Sequence, residues 1–499
     1  MVTPEKTCQV PMRANKGCGR QLHDGRHCIF HSERADKDKI LFQQELNKLA
    51  GQCRGHLLDL NGFIFPDGVT IDAIGPAKIH FYNSIFQGKF VFTHPKIDSD
   101  LIFGNAVFKQ GAEFEHRIFK HYIFGGKVHF AGAEFLGEAW FRGAVFKADT
   151  FLNAKFKKQA VFSAATFEKE VNFSEAKFEK PAGFFEVKFT SESRCRFERT
   201  TFGASADFRS CRFEGETFFC DSFSQGKTNE KIDLSGSQIS GSFKISEEKN
   251  PKTIIRREID FRNVKFLDPR TVKFEKINLG KFRFSGTDVR LIEFVDVEWD
   301  RKKRRNRIRD EVAPDPLTQK FEYDLIAQVY RRLRANYEES RNYPEAGDFY
   351  IGEMEMRRRI EKSFFNKKAL TLYRWLSNYG ESWICPIVWS IVTIFAFTFG
   401  YLFAGLSPIT LNLDESPRNF IRYAPDLSSW ESLISTAPKI SDLGRSFLHS
   451  CSVFLRFAIR TPRYVVVNEG GYILSVIESV LGPVLIALLF LALRRRFKR

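Results

Sequence analysis

The chain has 499 residues and a formal net charge of +17, from 77 Lys and Arg against 60 Asp and Glu. This length predicts several domains, and the basic balance favours an anionic partner such as lipid headgroups or nucleic acid. The nine dispersed cysteines argue against a disulfide-stapled secreted fold and for a reducing compartment, and the polar N-terminal segment gives no expectation of a signal peptide.

The N-terminal segment, residues 1–35, contains four candidate metal ligands. Cys8, Cys18, Cys28 and His31 follow the pattern C-x9-C-x9-C-x2-H. Three thiolates and one imidazole complete a closed tetrahedral site of the kind in which zinc supports structure rather than activating water. We therefore predict a structural zinc, with unligated thiols or another metal as the alternatives.

Two further histidines, His23 and His27, are reserve ligands if one of the four assignments is wrong. The next segment, residues 36–59, begins with charged residues and spaced Leu and Phe. This pattern predicts a short helical lead-in to the following domain.

Residues 60–300 are organised around a repeat of phenylalanine, with seventeen of them recurring at spacings of five or six residues between Phe103 and Phe189. A small residue often stands two positions earlier, as Ala133 does before Phe135. Residues two apart on an extended strand share a face, so each short strand would send one large and one small side chain inward. A period near five is typical of neither an amphipathic helix nor a long alternating strand, and it predicts short strands joined by tight corners. The repeated phenylalanines are Phe103, Phe108, Phe114, Phe119, Phe124, Phe130, Phe135, Phe141, Phe146, Phe151, Phe156, Phe162, Phe167, Phe173, Phe178, Phe184 and Phe189.

This pattern resembles the pentapeptide-repeat family, in which a small residue, a variable residue and a large apolar centre are followed by two more positions. The chain departs from the commonest form by using Phe rather than Leu at the centre and by inserting six-residue steps. The resemblance implies a right-handed, four-sided β-helix with about twenty-one residues per coil and about ten coils. Some members of the family resemble an acidic DNA rod and inhibit topoisomerases, but a chain this basic is a poor mimic of a polyanion. The open ends of such a β-helix need covers, and we expect a helical one at the far end.

A basic segment follows the repeats, with seven basic side chains in the nine positions 301–309. We interpret residues 301–318 as a solvated basic linker. Contact with anionic lipid is one alternative, and nucleic-acid binding is another, which is disfavoured because no aromatic residues are interleaved with the run.

Residues 319–362 are predicted to form two helices, the first with Ile326 and Leu333 on one face and the second opened by Pro344. The pair is similar to a single tetratricopeptide-type helical hairpin. Because one such repeat does not form a stable array, we expect it to cap the β-helix or to join it to the membrane; the alternative is a peptide-binding groove. Residues 363–383 place Lys and Arg against apolar residues at helical spacing, which predicts an interfacial helix on an anionic surface.

Residues 384–499 are interpreted as a transmembrane hairpin with an intervening loop. Ile384 to Leu406 has no charged residue over twenty-three positions, enough to cross a hydrocarbon core of about 30 Å. The second crossing is predicted from Tyr472 to Leu493. Basic residues before the first span and after the second predict that both termini are cytoplasmic, as in a multi-pass protein of the bacterial inner membrane.

Small residues predict close helix contact along the first span, where they recur at four-residue steps: Ala396, Gly400 and Ala404. Ionisable character within the spans is confined to Glu478, which shares a helical face with Ser475, Ser479 and Gly482. An intramembrane carboxylate must face protein or water. These four residues are therefore a candidate polar pathway, with an interfacial or helix-packing role as the alternative.

Between the spans, Leu443 to Ile459 is amphipathic and too short to cross the membrane, and its position matches the pore helix of two-span channels. The arrangement is similar to bacterial membrane proteins that join pentapeptide repeats to a two-span, ion-channel-like segment. The potassium filter signature Thr-Val-Gly-Tyr-Gly is absent. Arg456, Arg460 and Arg463 would repel cations, so potassium selectivity is not expected.

The predicted fold class is thus mainly β: a quadrilateral β-helix, then an α-helical hairpin and a two-span transmembrane segment. No P-loop, H-E-x-x-H, G-x-S-x-G or dinucleotide fingerprint is present, which favours a non-enzymatic protein. We expect a membrane-anchored β-helix that presents a rigid surface to a cytoplasmic protein partner. The alternative is a homo-oligomeric ion channel or membrane-perturbing effector. The residues predicted to contact anionic lipid are Arg301, Lys302, Lys303, Arg304, Arg305, Lys367, Lys368, Arg494, Arg495 and Arg496.

Overall fold

The structure, a computed structural model, divides into two compact units, Met1–Ser340 and Arg341–Arg499. It describes residues 7–10, 18–34, 36–53, 55–71, 75–92, 94–114, 122–223, 230–247, 255–302, 305–316, 318–408, 439–455 and 464–497.

The first unit is a β-solenoid of about ten coils, built from four parallel sheets. Each strand pairs with the equivalent strands of the coils before and after it, as Phe135 does with Phe108 and Phe156. Successive coils are therefore in register, and the four sheets enclose one interior. The solenoid that the repeat predicts is confirmed.

Sheet A contains eleven strands: Leu57–Asp59, Lys78–His80, Asp100–Ile102, Val128–His129, Thr150–Phe151, Val171–Asn172, Arg194–Arg196, Glu216–Cys220, Phe243–Ser246, Val272–Glu275 and Glu293–Val295. Sheet B contains eight: Lys96–Ile97, Ile123–Phe124, Val145–Phe146, Thr166–Phe167, Lys188–Phe189, Arg212–Phe213, Gln238–Ile239 and Lys265–Phe266. Sheet C contains seven: Ile64–Phe65, Ile85–Phe86, Val107–Phe108, Glu134–Phe135, Lys155–Phe156, Lys177–Phe178 and Thr201–Phe202. Sheet D contains nine: Phe90–Val91, Gly111–Glu113, Glu138–Trp140, Ala160–Val161, Ala182–Gly183, Ala206–Asp207, Lys231–Asp233, Glu258–Asp260 and Phe282–Arg283.

Stacked phenylalanine rings form the core of the solenoid. Along sheet C, the ring of Phe135 lies 4.5 Å from that of Phe108 and 4.9 Å from that of Phe156, nearly parallel to both. All three side chains are buried, and so is Ala133, the small residue two positions before Phe135. At this strand one large and one small side chain therefore point inward, as the spacing predicts.

One of the repeated phenylalanines does not point inward. Phe151 is only partly buried and packs on the outer surface against the ring of His129, at 4.6 Å. Leu152, the next residue, is fully buried in its place. The prediction for Phe151 is therefore wrong by one position, and a one-residue shift is enough to reverse the face on which a side chain lies.

The helical lead-in is observed as α1, Lys39–Gln52, which packs on the first coils of the solenoid through Phe42 and Phe65, with ring centroids 5.6 Å apart. It begins at Asp38, whose carboxylate accepts hydrogen bonds from the backbone N–H groups of Ile40 and Leu41. This is the N-cap geometry that stabilises a helix start.

The segment predicted as a basic linker is instead folded. Asp300–Lys302 and Arg305–Arg307 form an antiparallel hairpin, followed by α2, Arg309–Val312. Ile308 is fully buried, and the carboxylate of Asp310 accepts hydrogen bonds from backbone N–H groups of the last coil. The charge of the segment does not predict these contacts, because they depend on the burial of Ile308 and Asp310.

Helix α3, Tyr323–Glu339, covers the far end of the solenoid. The side-chain amide of Asn336 donates to the carbonyls of Val289 and Ile292 at 3.0 and 2.8 Å, and the ring of Tyr337 stacks on that of Phe294. These contacts satisfy carbonyl groups that would otherwise be exposed at the end of the β-structure. A short 3-10 helix, Pro269–Thr271, precedes the penultimate strand of sheet A.

The second unit is helical. Its described helices are α4 Tyr343–Ile360, α5 Phe364–Ser377, α6 Ile384–Ala404, α7 Ile440–Phe454 and α8 Glu469–Phe497. Helices α6 and α8 are long and apolar enough to cross a membrane. A two-stranded antiparallel ladder, Leu406–Pro408 with Tyr464–Val466, follows α6 and precedes α8. The two helices of the predicted tetratricopeptide-like hairpin, α3 and α4, fall in different units.

Candidate functional site

The four predicted metal ligands come together at the N-terminal end of the first unit. The donor atoms of Cys8, Cys18, Cys28 and His31 all lie within 4.8 Å of one another. Cys8, Cys28 and His31 are buried and Cys18 is partly buried. The group could hold a metal ion. The reserve ligands His23 and His27 lie outside this cluster.

The distances within the cluster fit a tetrahedral ion. Bond lengths of about 2.3 Å to sulfur and about 2.0 Å to nitrogen place tetrahedral donors about 3.8 Å apart for two sulfurs and about 3.5 Å apart for sulfur and nitrogen. The Sγ atoms of Cys18 and Cys28 are 3.7 Å apart, and Nδ1 of His31 lies 3.5 Å from Sγ of Cys8 and 3.3 Å from Sγ of Cys28. These three distances match a tetrahedral site, and the four donors could hold one ion.

Short backbone contacts bring these ligands together. The N–H of Cys8 donates to the carbonyl of Arg20, and the N–H of Gly19 donates back to the carbonyl of Cys8. A tight turn then joins Cys28 to His31, whose N–H donates to the carbonyl of Cys28 at 3.1 Å. The C-x2-H end of the pattern is therefore one turn, and the two longer spacings form a loop that closes on it.

Neighbouring groups fix the orientation of His31 and favour the ionised form of Cys18. Nε2 of His31 donates to the carbonyl of Asn61 at 3.1 Å, which leaves the Nδ1 lone pair for the ion. A guanidinium N–H of Arg20 donates to Sγ of Cys18 at 3.1 Å. The pKa of Cys18 is held well below its usual range, first because the thiol of Cys28 hydrogen-bonds to it and also through His31 and Arg20. Cys18 is thus favoured as a thiolate, the form that binds metals.

A second polar cluster lies between the helices of the second unit. The side chain of Glu478 is fully buried. Its carboxylate accepts a hydrogen bond from the hydroxyl of Tyr401 at 2.8 Å and another from the hydroxyl of Ser450. The hydroxyls of Tyr401 and Ser475 are 3.2 Å apart. One residue of each of α6, α7 and α8 therefore meets at this carboxylate.

The structure brings together two of the four residues predicted as a polar pathway. Ser475 and Glu478 share the cluster, and Gly482 packs so closely on α7 that a Cβ there would lie 2.4 Å from the carbonyl oxygen of Phe454. Ser479 does not join them, since its hydroxyl donates to the carbonyl of Val476 in its own helix. Sequence reasoning missed Tyr401 and Ser450; their hydroxyls in otherwise apolar segments were the available signal.

The small residues of α6 differ in their surroundings: two contact α8 and one is exposed. A Cβ on Gly400 would lie 3.1 Å from Leu474, and the Cβ of Ala404 approaches Gly471 closely. Ala396 is exposed. The predicted close approach is therefore confirmed for Gly400 and Ala404 and stays a prediction for Ala396.

Helix α7 enters the unit from the end where α6 stops. The hydrophobic cluster of Tyr401 and Leu406 includes Leu443 from the start of α7. Further along, the hydroxyl of Ser450 donates to the carbonyl of Ile394 near the middle of α6, at 3.0 Å. The helix ends at Phe454, beside the middle of α8. Residues 409–438 and 456–463, including Arg456, Arg460 and Arg463, lie outside the described part of the chain.

The ten basic residues predicted to contact lipid differ in what surrounds them. Arg301, Lys302, Lys367, Lys368 and Arg494 are exposed. Lys303 and Arg304, and the side chain of Arg496, lie outside the described residues. The lipid assignment itself stays a prediction for all ten.

Two of the ten are held by protein groups instead. Arg305 donates to both carboxylate oxygens of Glu311, at 2.6 and 2.7 Å. Arg495 donates to the carbonyl of Tyr379 at 3.0 Å and lies 4.9 Å above the ring of Tyr350. These two side chains are therefore the least available to lipid.

Comparison with known proteins agrees with the solenoid. A family model described as pentapeptide repeats (9 copies) matches residues 130–177 and 141–188. The resemblance to pentapeptide-repeat proteins is thus confirmed for the part of the chain in which phenylalanine spacing is most regular. The two possible membrane helices lie outside the matched part.

An uncharacterized protein of the archaeon Methanocaldococcus jannaschii is also similar, with 28% identity over 157 residues. The similarity covers 28% of this chain and 34% of that protein, so it spans about a third of the relative's length. No solved structure matches the chain.

Proposed function

We propose that the helical unit is one subunit of an oligomeric ion pathway in a membrane, and that the β-solenoid is a rigid cytoplasmic surface for a protein partner. The observation that carries the proposal is α7, which extends from the end of α6 to the middle of α8. A plain two-span anchor has no need of a third helix that ends at mid-span depth. Two spans cannot enclose a water path alone, so the pathway requires several copies of the chain.

The end of α7 bears on the ion selectivity of the proposed pathway. The last carbonyls of a helix carry a partial negative charge, and here they lie beside Gly482. The segment that follows in sequence contains three arginines and no potassium filter signature. The proposed pathway is therefore not selective for potassium. The absence of catalytic motifs in the sequence supports a non-enzymatic role.

Ion flux through liposomes containing the purified full chain tests the proposal. We expect Ser450→Ala to change the flux by up to about tenfold, because a hydrogen bond contributes about 0.5–1.5 kcal/mol. Ser479→Ala is the matched control, since its hydroxyl stays within its own helix, and should leave the flux unchanged. Glu478→Gln should act like Ser450→Ala. Equal flux in all four proteins would contradict a role for this cluster.

A second candidate is a membrane-anchored scaffold without conductance. It is favoured by the fact that both carboxylate oxygens of Glu478 accept hydrogen bonds inside one chain, so the residue serves helix packing equally well. Mass photometry in detergent separates the two functions, because a strict monomer cannot form the pathway. A monomer with no flux would establish the scaffold instead.

We propose zinc as the metal of the Cys3His cluster. Zinc favours tetrahedral thiolate and imidazole ligands, and a site with four protein ligands is structural. Metal analysis of the protein purified with zinc should give one ion per chain. Cys28→Ser should lose it, and Cys53→Ser, which changes a cysteine outside the cluster, should keep it.

We propose that α5 lies on an anionic membrane surface. Phe365 and Trp375 are 82% and 64% exposed, and Lys367 and Lys368 are exposed beside them. Helix α5 also contacts the start of α6, where the indole N–H of Trp389 donates to the carbonyl of Trp375. Vesicle flotation of the peptide 361–380 with and without anionic lipid tests this, and equal binding to neutral vesicles would contradict the charge contribution.

A further inference from the structure

The first coil of the solenoid has an edge with no preceding coil. In later coils of sheet C, each strand donates backbone N–H groups to the coil before it, as Ile85 does to Phe63 and Gln87 does to Phe65. The equivalent groups of the first coil belong to Ile64 and residue 66. Residue 66 is proline, which has no N–H to satisfy. Only Ile64 therefore needs an acceptor at this edge of sheet C.

The turn between two metal ligands supplies that acceptor. The N–H of Ile64 donates to the carbonyl of Phe30 at 2.7 Å. The ring of Phe30 stacks on that of Phe63 with centroids 4.4 Å apart. Phe30 lies between Cys28 and His31, so the two ligands fix its position from both sides.

The same turn also forms a hydrogen bond to the first coil just after its strand of sheet A. In the second coil, the carbonyl of Tyr82 accepts the N–H of Gly62 from the coil before. The equivalent carbonyl in the first coil belongs to Asn61, and it accepts Nε2–H of His31 at 3.1 Å. The imidazole of His31 thus contacts the cysteine sulfurs of the cluster through Nδ1 and the solenoid edge through Nε2.

Other contacts at this end of the solenoid come from residues outside the four ligands. Lys37 Nζ donates to the carbonyl of Ile64 at 2.8 Å, and the side-chain amide of Gln43 pairs with both the N–H and the carbonyl of Thr70, each at 2.9 Å. Gln43 belongs to α1, which has its own helical hydrogen bonds and N-cap. These contacts do not depend on the turn between the ligands.

We infer that the Cys3His centre is a metal-dependent latch that holds the turn 28–31 on the first coil, so metal occupancy controls protection of that edge. The inference rests on metal binding at the proposed site. Residues 18–34 contain no helix and a single residue of β-bridge, Gln21. The turn is held by its own hydrogen bonds, by ring contacts of Phe30 with Phe42 and Phe63, and by ligation, which is the constraint that metal removal takes away. Loss of the metal frees Phe30 and His31 together and exposes Ile64 N–H and the carbonyl of Asn61.

Hydrogen exchange of the full chain in detergent, resolved at single amides, tests the latch. Removal of zinc by a chelator should speed exchange of the Ile64 amide at least tenfold. The amides of Phe156 and Phe178, in the middle of sheet C, serve as internal references and should not change. Cys28→Ser should reproduce the effect of the chelator, and Cys53→Ser should not.

The metal content is measured in the same samples, which separates the two ways of failing. Stoichiometric zinc in the untreated protein, lost on chelation without any change at Ile64, would overturn the latch and leave the metal site intact. Protein that binds no zinc would overturn the metal assignment and the latch with it. Faster exchange throughout sheet C would also overturn the latch, because it would show general unfolding rather than release of one edge.

Discussion

Individual phenylalanines should differ sharply in what they contribute to stability. Phe135 is fully buried between two parallel rings, whereas Phe151 is partly exposed on the outer surface. We expect Phe135→Ala to cost about 3–5 kcal/mol, as large-to-small changes in cores do, and Phe151→Ala to cost less than about 1 kcal/mol. The measurement is the urea midpoint of the β-sheet circular dichroism of the full chain in detergent. Similar losses for both variants would contradict the assignment of Phe151 to the surface.

This contrast marks how far the sequence alone predicts the core. The spacing of phenylalanine and the small residue two positions earlier follow from strand geometry, so Phe135 and Ala133 were predictable. Phe151 and Leu152 are adjacent and both large and apolar, and periodicity with steps of five or six accommodates either. Only the register with the strands above and below decides which one points inward.

A pH response should arise at Glu258. Burial raises the pKa of its carboxyl, but hydrogen bonds from Arg283 and Arg309 outweigh burial and leave the pKa below its usual 4.5. The stabilising contribution is therefore complete above pH 4.5 and is lost as the pH falls through the lower pKa of the folded protein. Because Arg309 begins α2, acid should loosen α2 from the last coil.

The measurement for Glu258 is hydrogen exchange of residues 309–312 between pH 7 and pH 3, corrected for the intrinsic pH dependence of exchange. The wild-type protein should lose protection in the acid range. Glu258→Gln should be less protected at pH 7, by about 1–3 kcal/mol, and should show a flatter pH response. Identical responses in both proteins would assign the acid sensitivity to other carboxylates.

At the scale of elements, one glycine permits the close approach of α8 to the end of α7. A Cβ at position 482 would lie 2.4 Å from a backbone carbonyl of α7, so Gly482→Ala must move the helices apart. Overpacking of this kind costs about 1–3 kcal/mol, and the thermal midpoint in detergent should fall. Gly470→Ala is the matched control, because the nearest atom is 3.8 Å away. Equal midpoints for the two variants would show that α7 does not pack at Gly482.

The helices themselves were predictable, but their contacts were not. Apolar length predicts α6 and α8, and amphipathic spacing predicts α7 between them. The meeting of Tyr401, Ser450 and Glu478 joins positions far apart in the sequence, and no local pattern specifies which hydroxyl reaches the carboxylate. The prediction of a solvated linker at residues 301–318 was wrong for the opposite reason. The charges of this segment suggest solvent, while a few apolar residues such as Ile308 fix it to the solenoid.

At the scale of the whole molecule, the first unit closes both ends of its β-structure with unlike devices. The N-terminal end is covered by the Cys3His segment and α1, and the C-terminal end by α2 and α3. Parallel strands with open edges readily pair with other chains, and covers at both ends block such pairing. The outer surface between them is where the proposed partner would bind, and the sequence holds no motif there that identifies one.

Membrane topology gives the last prediction. Basic residues flank the start of α6 and the end of α8, which favours both termini on the cytoplasmic side, and α7 begins at the other end of the spans. Ser441→Cys, exposed at the start of α7, should therefore react with an impermeant maleimide in intact cells, above the labelling of the wild-type protein. Lys158→Cys, exposed on the solenoid, should react only after permeabilisation. Labelling of Lys158→Cys in intact cells would place the solenoid outside and reverse the orientation, and with it the side from which a partner could reach the proposed pathway.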